Sequence, residues 1–231
     1  LATSSAASDV YKRQDLVVVV GGDGSLLGAA RDLARYDVPI LGINRGRLGF
    51  LTDIAPEDIA TEVASVLDGH YEIEERFLLD TRISREGATV EGSNAFNDVI
   101  LHSGQAPKML NFELHIEGEF VYNQYSDGLI VSTPTGSTAY SLSGGGPIMH
   151  PRLDAIVIVP MFPHTLSSRP IVVDGNSEIK IIIGENNPAH PRVSCDGQVS
   201  MNASANDVIY IQKYRKRAKL IHPKGCLLYT S

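Results

Sequence analysis

Near Arg76 the apolar pattern of the chain changes period, and that change limits what the chain can fold into. Before it, apolar residues recur at helical spacing between short valine- and isoleucine-rich runs. After it, they come in short alternating runs broken by Gly, Asn, Asp and Pro. The first pattern belongs to an α/β unit, the second to a β-sandwich or similar all-β unit. The expected fold class is therefore α/β plus all-β, with an α/β domain over residues 15–75 and a β-rich domain over residues 76–224.

Within the first part, Leu16–Val20 is an unbroken apolar run, which predicts a strand buried on both faces of a parallel sheet. Leu26, Leu27, Ala30, Leu33 and Ala34 then fall at helical spacing, so strand, turn and helix follow in order, the helix opening at Ser25. Pro39–Ile43 repeats the strand, followed by a loop rich in Gly and Arg. "APEDIATEVASVLDGHY" reads as a helix with Pro56 in its first turn and Gly69 just past its end. Beyond Arg76, "FLLDTRIS", "NDVILHS", "FELHIEGEFV", "GLIVST", "AIVIVP", "PIVVDG", "EIKIIIGE", "RVSCDGQ" and "DVIYIQKY" read as short strands. The flank "LATSSAASDVYKRQ" (residues 1–14) is small and polar with no apolar period, and the end at residues 225–231 stops without a cap or polar tail; we read both as non-native, the alternative being an N-terminal tail and a short last strand.

Composition narrows the function. Of 231 residues, 43% are hydrophobic and no apolar run approaches the roughly 20 needed to span a bilayer. No membrane partner is expected, and a cytoplasmic location is. Only Cys195 and Cys226 occur, too few for a disulfide framework or a zinc site. We take Cys195 as a packed small side chain. The net charge of -7 argues against a nucleic-acid partner, and "YRKRAK" (residues 214–219) reads as a solvated face.

"VVVVGGDGSLLGAAR" (residues 17–31) places an aspartate between glycines where an apolar run stops. A hairpin would need an alternating strand after the turn, and the helical spacing from Ser25 on argues against one. In a phosphate-binding turn, Gly21, Gly22 and Gly24 would allow positive φ and close approach of phosphate oxygens to N–H groups, and the following helix adds its N-terminal partial charge. Asp23 is out of place beside phosphate unless it takes a proton or orients a metal. The turn is neither a Walker A motif nor a dinucleotide fingerprint.

Further stretches follow in order: "NRGRLGFL" (residues 44–51), "NDV" (97–99), "SDGLIVSTPTGSTAYSLSGGGP" (126–147) and "HPRLDAIVIVPMFPHTLSSRPIVV" (150–173). Together with "GGDG" they closely resemble the NAD kinase family over nearly all of residues 15–224. The resemblance implies an N-terminal Rossmann-like domain, incomplete here because its first strand and helix are absent, a β-sandwich-like C-terminal domain, and a site in the cleft between them. It implies transfer of the γ-phosphate of ATP, or polyphosphate in some members, to the 2′-hydroxyl of the adenosine ribose of NAD, giving NADP.

By position, Asp23 resembles the base that accepts the 2′-hydroxyl proton, and Gly21, Gly22 and Gly24 the phosphate loop. Asn97 and Asp98 resemble the pair that holds adenosine, Thr138 and Ala139 adenine contacts with Tyr140 beside them, Asp127 and Ser143 contacts to the nicotinamide end, and Phe50 a pocket wall. Phosphoryl transfer calls for Mg²⁺ or another divalent cation carried with ATP, and the sequence shows no acidic cluster for a dedicated protein metal site; the resemblance implies NAD and ATP as ligands and a homo-oligomer to which "PMFPHTLSSRP" contributes. "CDGQ" (residues 195–198) reads as an Asp-Gly hairpin turn that the resemblance places near the ligand. The alternatives are a lipid kinase with the same glycine loop and an inactive NAD-binding fragment.

Overall fold

The computed structural model describes residues 14–45, 51–52, 54–104, 109–165, 168–185, 187 and 190–224. The chain forms two compact units, one from residues up to Arg76 together with those from Lys216 on, the other from Phe77–Arg215. No helix among the described residues is long and apolar enough to cross a membrane.

In the first unit, β1 (Val17–Gly21) leads through Gly22 into α1 (Asp23–Leu33), and β2 (Ile40–Asn44) follows. The helix starts at Asp23, two residues ahead of the expected Ser25, because the N–H groups of Ser25 and Leu26 already return to the Gly22 carbonyl. It buries Leu26, Leu27, Ala30 and Leu33, the residues its spacing singled out. β1 and β2 pair in parallel, and β2 pairs in parallel on its other side with Leu220 and Ile221 near the chain's end.

That arrangement corrects the reading of Leu16–Val20. Val18 and Val20 are 43% and 59% exposed, and the strand of this unit that is buried from end to end is β2. The physical reason is position: β2 has a partner on both sides, whereas β1 pairs only with β2 among the described residues.

α2 (Ile59–Leu67) follows a 3₁₀ turn at Pro56–Asp58, where the missing N–H of proline costs no helical bond. Gly69, at φ 87, ends it as the sequence suggests. Ile59 and Val63 of this helix pack on Leu41, Ile43, Ile54 and Ile221.

β3 (Tyr71–Arg85) passes into the second unit and forms a hairpin with β4 (Ala88–Ala95). β5 (Asp98–His102), β6 (Leu110–Ile116), β7 (Glu119–Ser126) and β8 (Gly128–Ser132) follow. After the short α3 (Tyr140–Ser143) come β9 (Ala155–Met161), β10 (Ile171–Asp174), β11 (Ile179–Ile183), β12 (Arg192–Cys195), β13 (Val199–Asn202) and β14 (Val208–Pro223). One antiparallel sheet runs β10-β9-β8-β5-β12-β13. The other runs β14-β11-β6-β7, with β3 also pairing β14.

Their inner faces share one core, with Leu79, Phe112 and Ile181 from the second sheet meeting Val99, Val131 and Ile158 from the first. Cys195 lies fully buried in it, a packed side chain as expected. "FELHIEGEFV" is not one strand but the β6–β7 hairpin, because Glu117 and Gly118 take φ 53 and 79 and turn the chain back. "YRKRAK" does present Arg215, Lys216 and Arg217 to solvent, but within the long strand β14.

Candidate functional site

In the first unit the glycine turn carries Asp23 on the first residue of an 11-residue helix. None of Gly21, Gly22 and Gly24 takes positive φ, which corrects the expectation of left-handed backbone there. Space is what the turn requires. A Cβ on Gly21 would stand 2.5 Å from Ser25 Oγ, while a Cβ on Gly22 would meet nothing within 4 Å. The turn thus packs tightly on the side of its own helix and stays open at Gly22, so peptide N–H groups at a helix start can be approached closely by an anion.

The Asp23 carboxylate accepts a hydrogen bond from Leu51 N–H at 3.2 Å and a longer one from the Thr52 hydroxyl at 3.5 Å. Both donors belong to the segment after β2, and both residues are buried. Phe50 lies outside the described residues.

In the second unit Asn97 and Asp98 stand where β5 begins, and the "TPTGST" stretch folds over them. The Asn97 carbonyl accepts from Thr133 N–H at 2.9 Å and from Ser132 Oγ at 3.1 Å. Thr133 Oγ1 donates to the Phe96 carbonyl at 2.8 Å and accepts from Gly136 N–H at 3.1 Å. A Cβ on Gly136 would come within 2.3 Å of the Asn97 carbonyl oxygen, so only glycine fits this clasp. Ser137 Oγ, hydrogen-bonded to Pro134 and Met149, is likewise internal to it. Much of this motif's hydroxyl content therefore builds the fold.

Asp98 is only 4% exposed. Burial, and then the neighbouring negative charge of Asp196, push its carboxyl up to about 7. Asn97 Oδ1 is enclosed and has no partner in the chain. An enclosed acceptor left unpaired costs about 1–3 kcal/mol, which a ligand N–H or O–H would recover.

Sequence reasoning treated Asp196 as a turn residue, and the turn is there: Asp196 and Gly197 take φ 54 and 64, and Gln198 N–H closes on the Cys195 carbonyl at 3.0 Å. The carboxylate does more, accepting the N–H groups of Phe96, Asn97 and Asp98. A residue about a hundred positions away in sequence is positioned by β12 pairing with β5. The one local signal for it is Asp, rather than Asn or Gly, at the first position of such a turn.

Thr138 ends the 3₁₀ turn Thr135–Thr138, and Ala139, whose N–H returns to Gly136, links it to α3. Tyr140 and Ser143 on α3 line a cavity of about 520 Å³ with Ile130, Met161 and Phe162. Asp127 adjoins its wall, donating its N–H to the Met161 carbonyl at 3.0 Å. The second unit thus joins Asn97 and Asp98 to the turn that ends at Thr138, and places Tyr140 and Ser143 on one cavity. Asp23 and its glycines belong to the first unit. Among the described residues no three of His, Cys, Asp and Glu converge as metal ligands.

Comparison with known proteins covers both units. Residues 3–71 match the ATP-NAD kinase N-terminal domain, and residues 96–223 the ATP-NAD kinase C-terminal domain. The NAD kinase of Hahella chejuensis is 64% identical over 215 residues, covering 93% of this chain and 73% of its own length. Among solved structures, yeast NADH kinase complexed with NADH superposes with a TM-score of 0.84 at 31% identity, covering 93% of this chain and 63% of the yeast chain. An NAD kinase from Archaeoglobus fulgidus in complex with ATP superposes with a TM-score of 0.77 at 30% identity, covering 92% of this chain and 80% of that one.

Proposed function

The chain belongs to the NAD kinase family, and from that membership we propose that it transfers the γ-phosphate of ATP to the 2′-hydroxyl of the adenosine ribose of NAD, giving NADP. The observation that carries the catalytic reading is the placement of Asp23: a carboxylate on the first residue of a helix, beside a turn left open at Gly22. Asp23 takes the proton of the 2′-hydroxyl as that oxygen bonds to the γ-phosphorus. The bond from the γ-phosphorus to the β,γ-bridging oxygen breaks, and ADP leaves. The hydrogen bonds from Leu51 and Thr52 aim the carboxylate. Gly21, Gly22 and Gly24 let peptide N–H groups meet phosphate oxygens. Such a transfer depends on positioning and charge neutralisation more than on covalent help from the protein.

Asp98 accepts hydrogen bonds from both hydroxyls of a ribose diol, since one carboxylate can serve two O–H donors. Asn97 Oδ1, enclosed and unpaired, is an acceptor suited to the adenine amine. Thr138 and Ala139 contact the adenine, with Tyr140 beside them. Asp127 and Ser143 supply an acceptor and a donor for the nicotinamide carboxamide. Mg²⁺ brought in with ATP would neutralise phosphate charge. The same reading makes the protein a cytoplasmic homo-oligomer with residues 160–170 contributing contacts between copies.

The test is NADP formation from NAD, ATP and Mg²⁺, read with an NADP-specific dehydrogenase, beside a parallel reaction offering diacylglycerol in vesicles. NADP formation with no lipid phosphorylation is expected. Lipid phosphorylation without NADP would overturn the reading.

A further inference from the structure

The hairpin between β12 and β13 would turn without a carboxylate at its tip. Both loop positions take positive φ, and Asn or Gly meets that need with less strain than Asp. Asp196 nonetheless stands at φ 54, and its side chain spans three consecutive peptide groups. Oδ1 accepts from Asn97 N–H at 2.7 Å and from Asp98 N–H at 3.3 Å, and Oδ2 accepts from Phe96 N–H at 3.0 Å. The Asp98 carbonyl closes the arrangement by accepting from Asp196 N–H at 2.9 Å.

These bonds act where the strand carrying Asn97 and Asp98 begins. They fix the peptide planes from which both side chains depart, and they set a negative charge beside a carboxyl that is itself enclosed. A hairpin needs neither. We propose that Asp196 is a positioning residue for the dinucleotide, holding the Asn97–Asp98 backbone for adenosine recognition and coupling that recognition to the charge of Asp98. The inference rests on the reading of Asn97 and Asp98 as NAD-binding residues.

The coupling has a sign. Across the sheet, the β8 residue opposite Asp98 is the uncharged Ser132, and on the β12 side the charged group is Asp196. Asp98 accepts hydrogen bonds from the ribose hydroxyls best when ionised, so NAD affinity rises with pH as its carboxyl loses its proton. Removing the Asp196 charge takes away one of the two causes that hold the Asp98 carboxyl up, and burial remains. The inflection in NAD affinity then moves to lower pH.

Two variants test this. Asp196→Gly keeps the backbone free to adopt positive φ and removes the carboxylate. Asp196→Asn keeps one acceptor oxygen and removes the charge. For Asp196→Gly, KM for NAD rises about tenfold or more, as expected for lost hydrogen bonds to a charged group, while KM for ATP holds. In Asp196→Asn the affinity loss is smaller, and in both the pH inflection of KM for NAD falls.

A purely structural turn would lower the melting temperature and leave that inflection in place, which would overturn the proposal. The kinase reading would still stand if the parent makes NADP and the Asp196 variants match it in KM and inflection, but this inference would then fail. If the parent neither binds NAD in calorimetry nor forms NADP, the reading of Asn97 and Asp98 fails and this inference with it.

Discussion

Asp23 and Asp98 are two carboxylates at strand ends in opposite kinds of setting. Asp23 follows β1, whose alternate valines face solvent, and sits at a turn open at Gly22. Asp98 opens β5, a strand flanked on both sides by β8 and β12, and is almost wholly enclosed. Its neighbours are tied to one another by hydrogen bonds that span 35–100 positions of sequence. Under the function proposed above, the difference is a division of labour: a group that exchanges a proton with a substrate needs access, and a group that recognises one needs a fixed, dry surface. Asp98 meets that need at a cost, because burial beside Asp196 works against its charge.

The hardest attempt to break that division is Asp23→Asn. Loss of a general base is worth about 10²- to 10⁴-fold in rate, so kcat falls by that much, while the NAD dissociation constant from calorimetry stays within about twofold. If NAD affinity falls as far as kcat, Asp23 is a binding group and the comparison collapses.

Asp98→Asn gives the reverse pattern. NAD affinity falls about tenfold or more, the scale of a hydrogen bond to a charged acceptor, with a smaller loss of kcat at saturation. The folded state gains stability at the same time. Asp98 has its folded value, about 7, above the ordinary aspartate value of 3.8, so the folded state binds more protons between the two and loses stability as pH rises through that window. Chemical denaturation should therefore find Asp98→Asn more stable than the parent at pH 8, with the gap closing towards pH 4. A variant less stable at pH 8 would show that the carboxylate supports the fold it was argued to strain.

A pair of glycine substitutions sharpens the contrast through packing alone. Gly136→Ala drives a methyl group to 2.3 Å from the Asn97 carbonyl oxygen, an overpacking that costs about 1–3 kcal/mol and several degrees of melting temperature. Gly22→Ala meets open space at φ -92 and should fall within about 0.5 kcal/mol of the parent. Melting curves of the two variants read the difference directly. Equal losses would mean that the glycine turn is as tightly packed as the clasp.

What the sequence disclosed follows the same line. Local features were legible: the spacing of Leu26, Leu27, Ala30 and Leu33 specifies a buried helix face, and Pro56 and Gly69 mark the limits of α2 by their own backbone chemistry. The candidate residues Asn97, Asp98, Tyr140 and Ser143 came from motif resemblance. Neither source shows which partner lies across a sheet. Four successive valines have no alternation, so nothing in them tells that Val18 and Val20 face outward. Asp196 was hidden for a related reason, since its hydrogen bonds depend on the register of β12 against β5. The Glu117–Gly118 turn could have been read from its glycine, but alternating apolar residues on both sides concealed it.

The smallest effect concerns a carboxylate in the first unit that the fold shifts the other way. Burial works against the charge on Glu74, but hydrogen bonds to His222 and Arg76 and their positive charges outweigh it, taking the carboxyl from 4.5 to about 2. Arg76 contacts it at 2.6 Å and His222 at 3.2 Å. Because the folded value lies below the ordinary glutamate value, this contribution is present above about pH 4.5 and is lost as pH falls towards 2. Glu74 is partly exposed and solvent screens the pair, so the contribution is about 1 kcal/mol or less. Glu74→Gln should lower stability slightly at pH 7 and narrow the difference between pH 7 and pH 3, measured by urea denaturation at both. Asp98→Asn must move the pH dependence in the opposite sense over its own window, and the comparison fails if the two variants shift it alike.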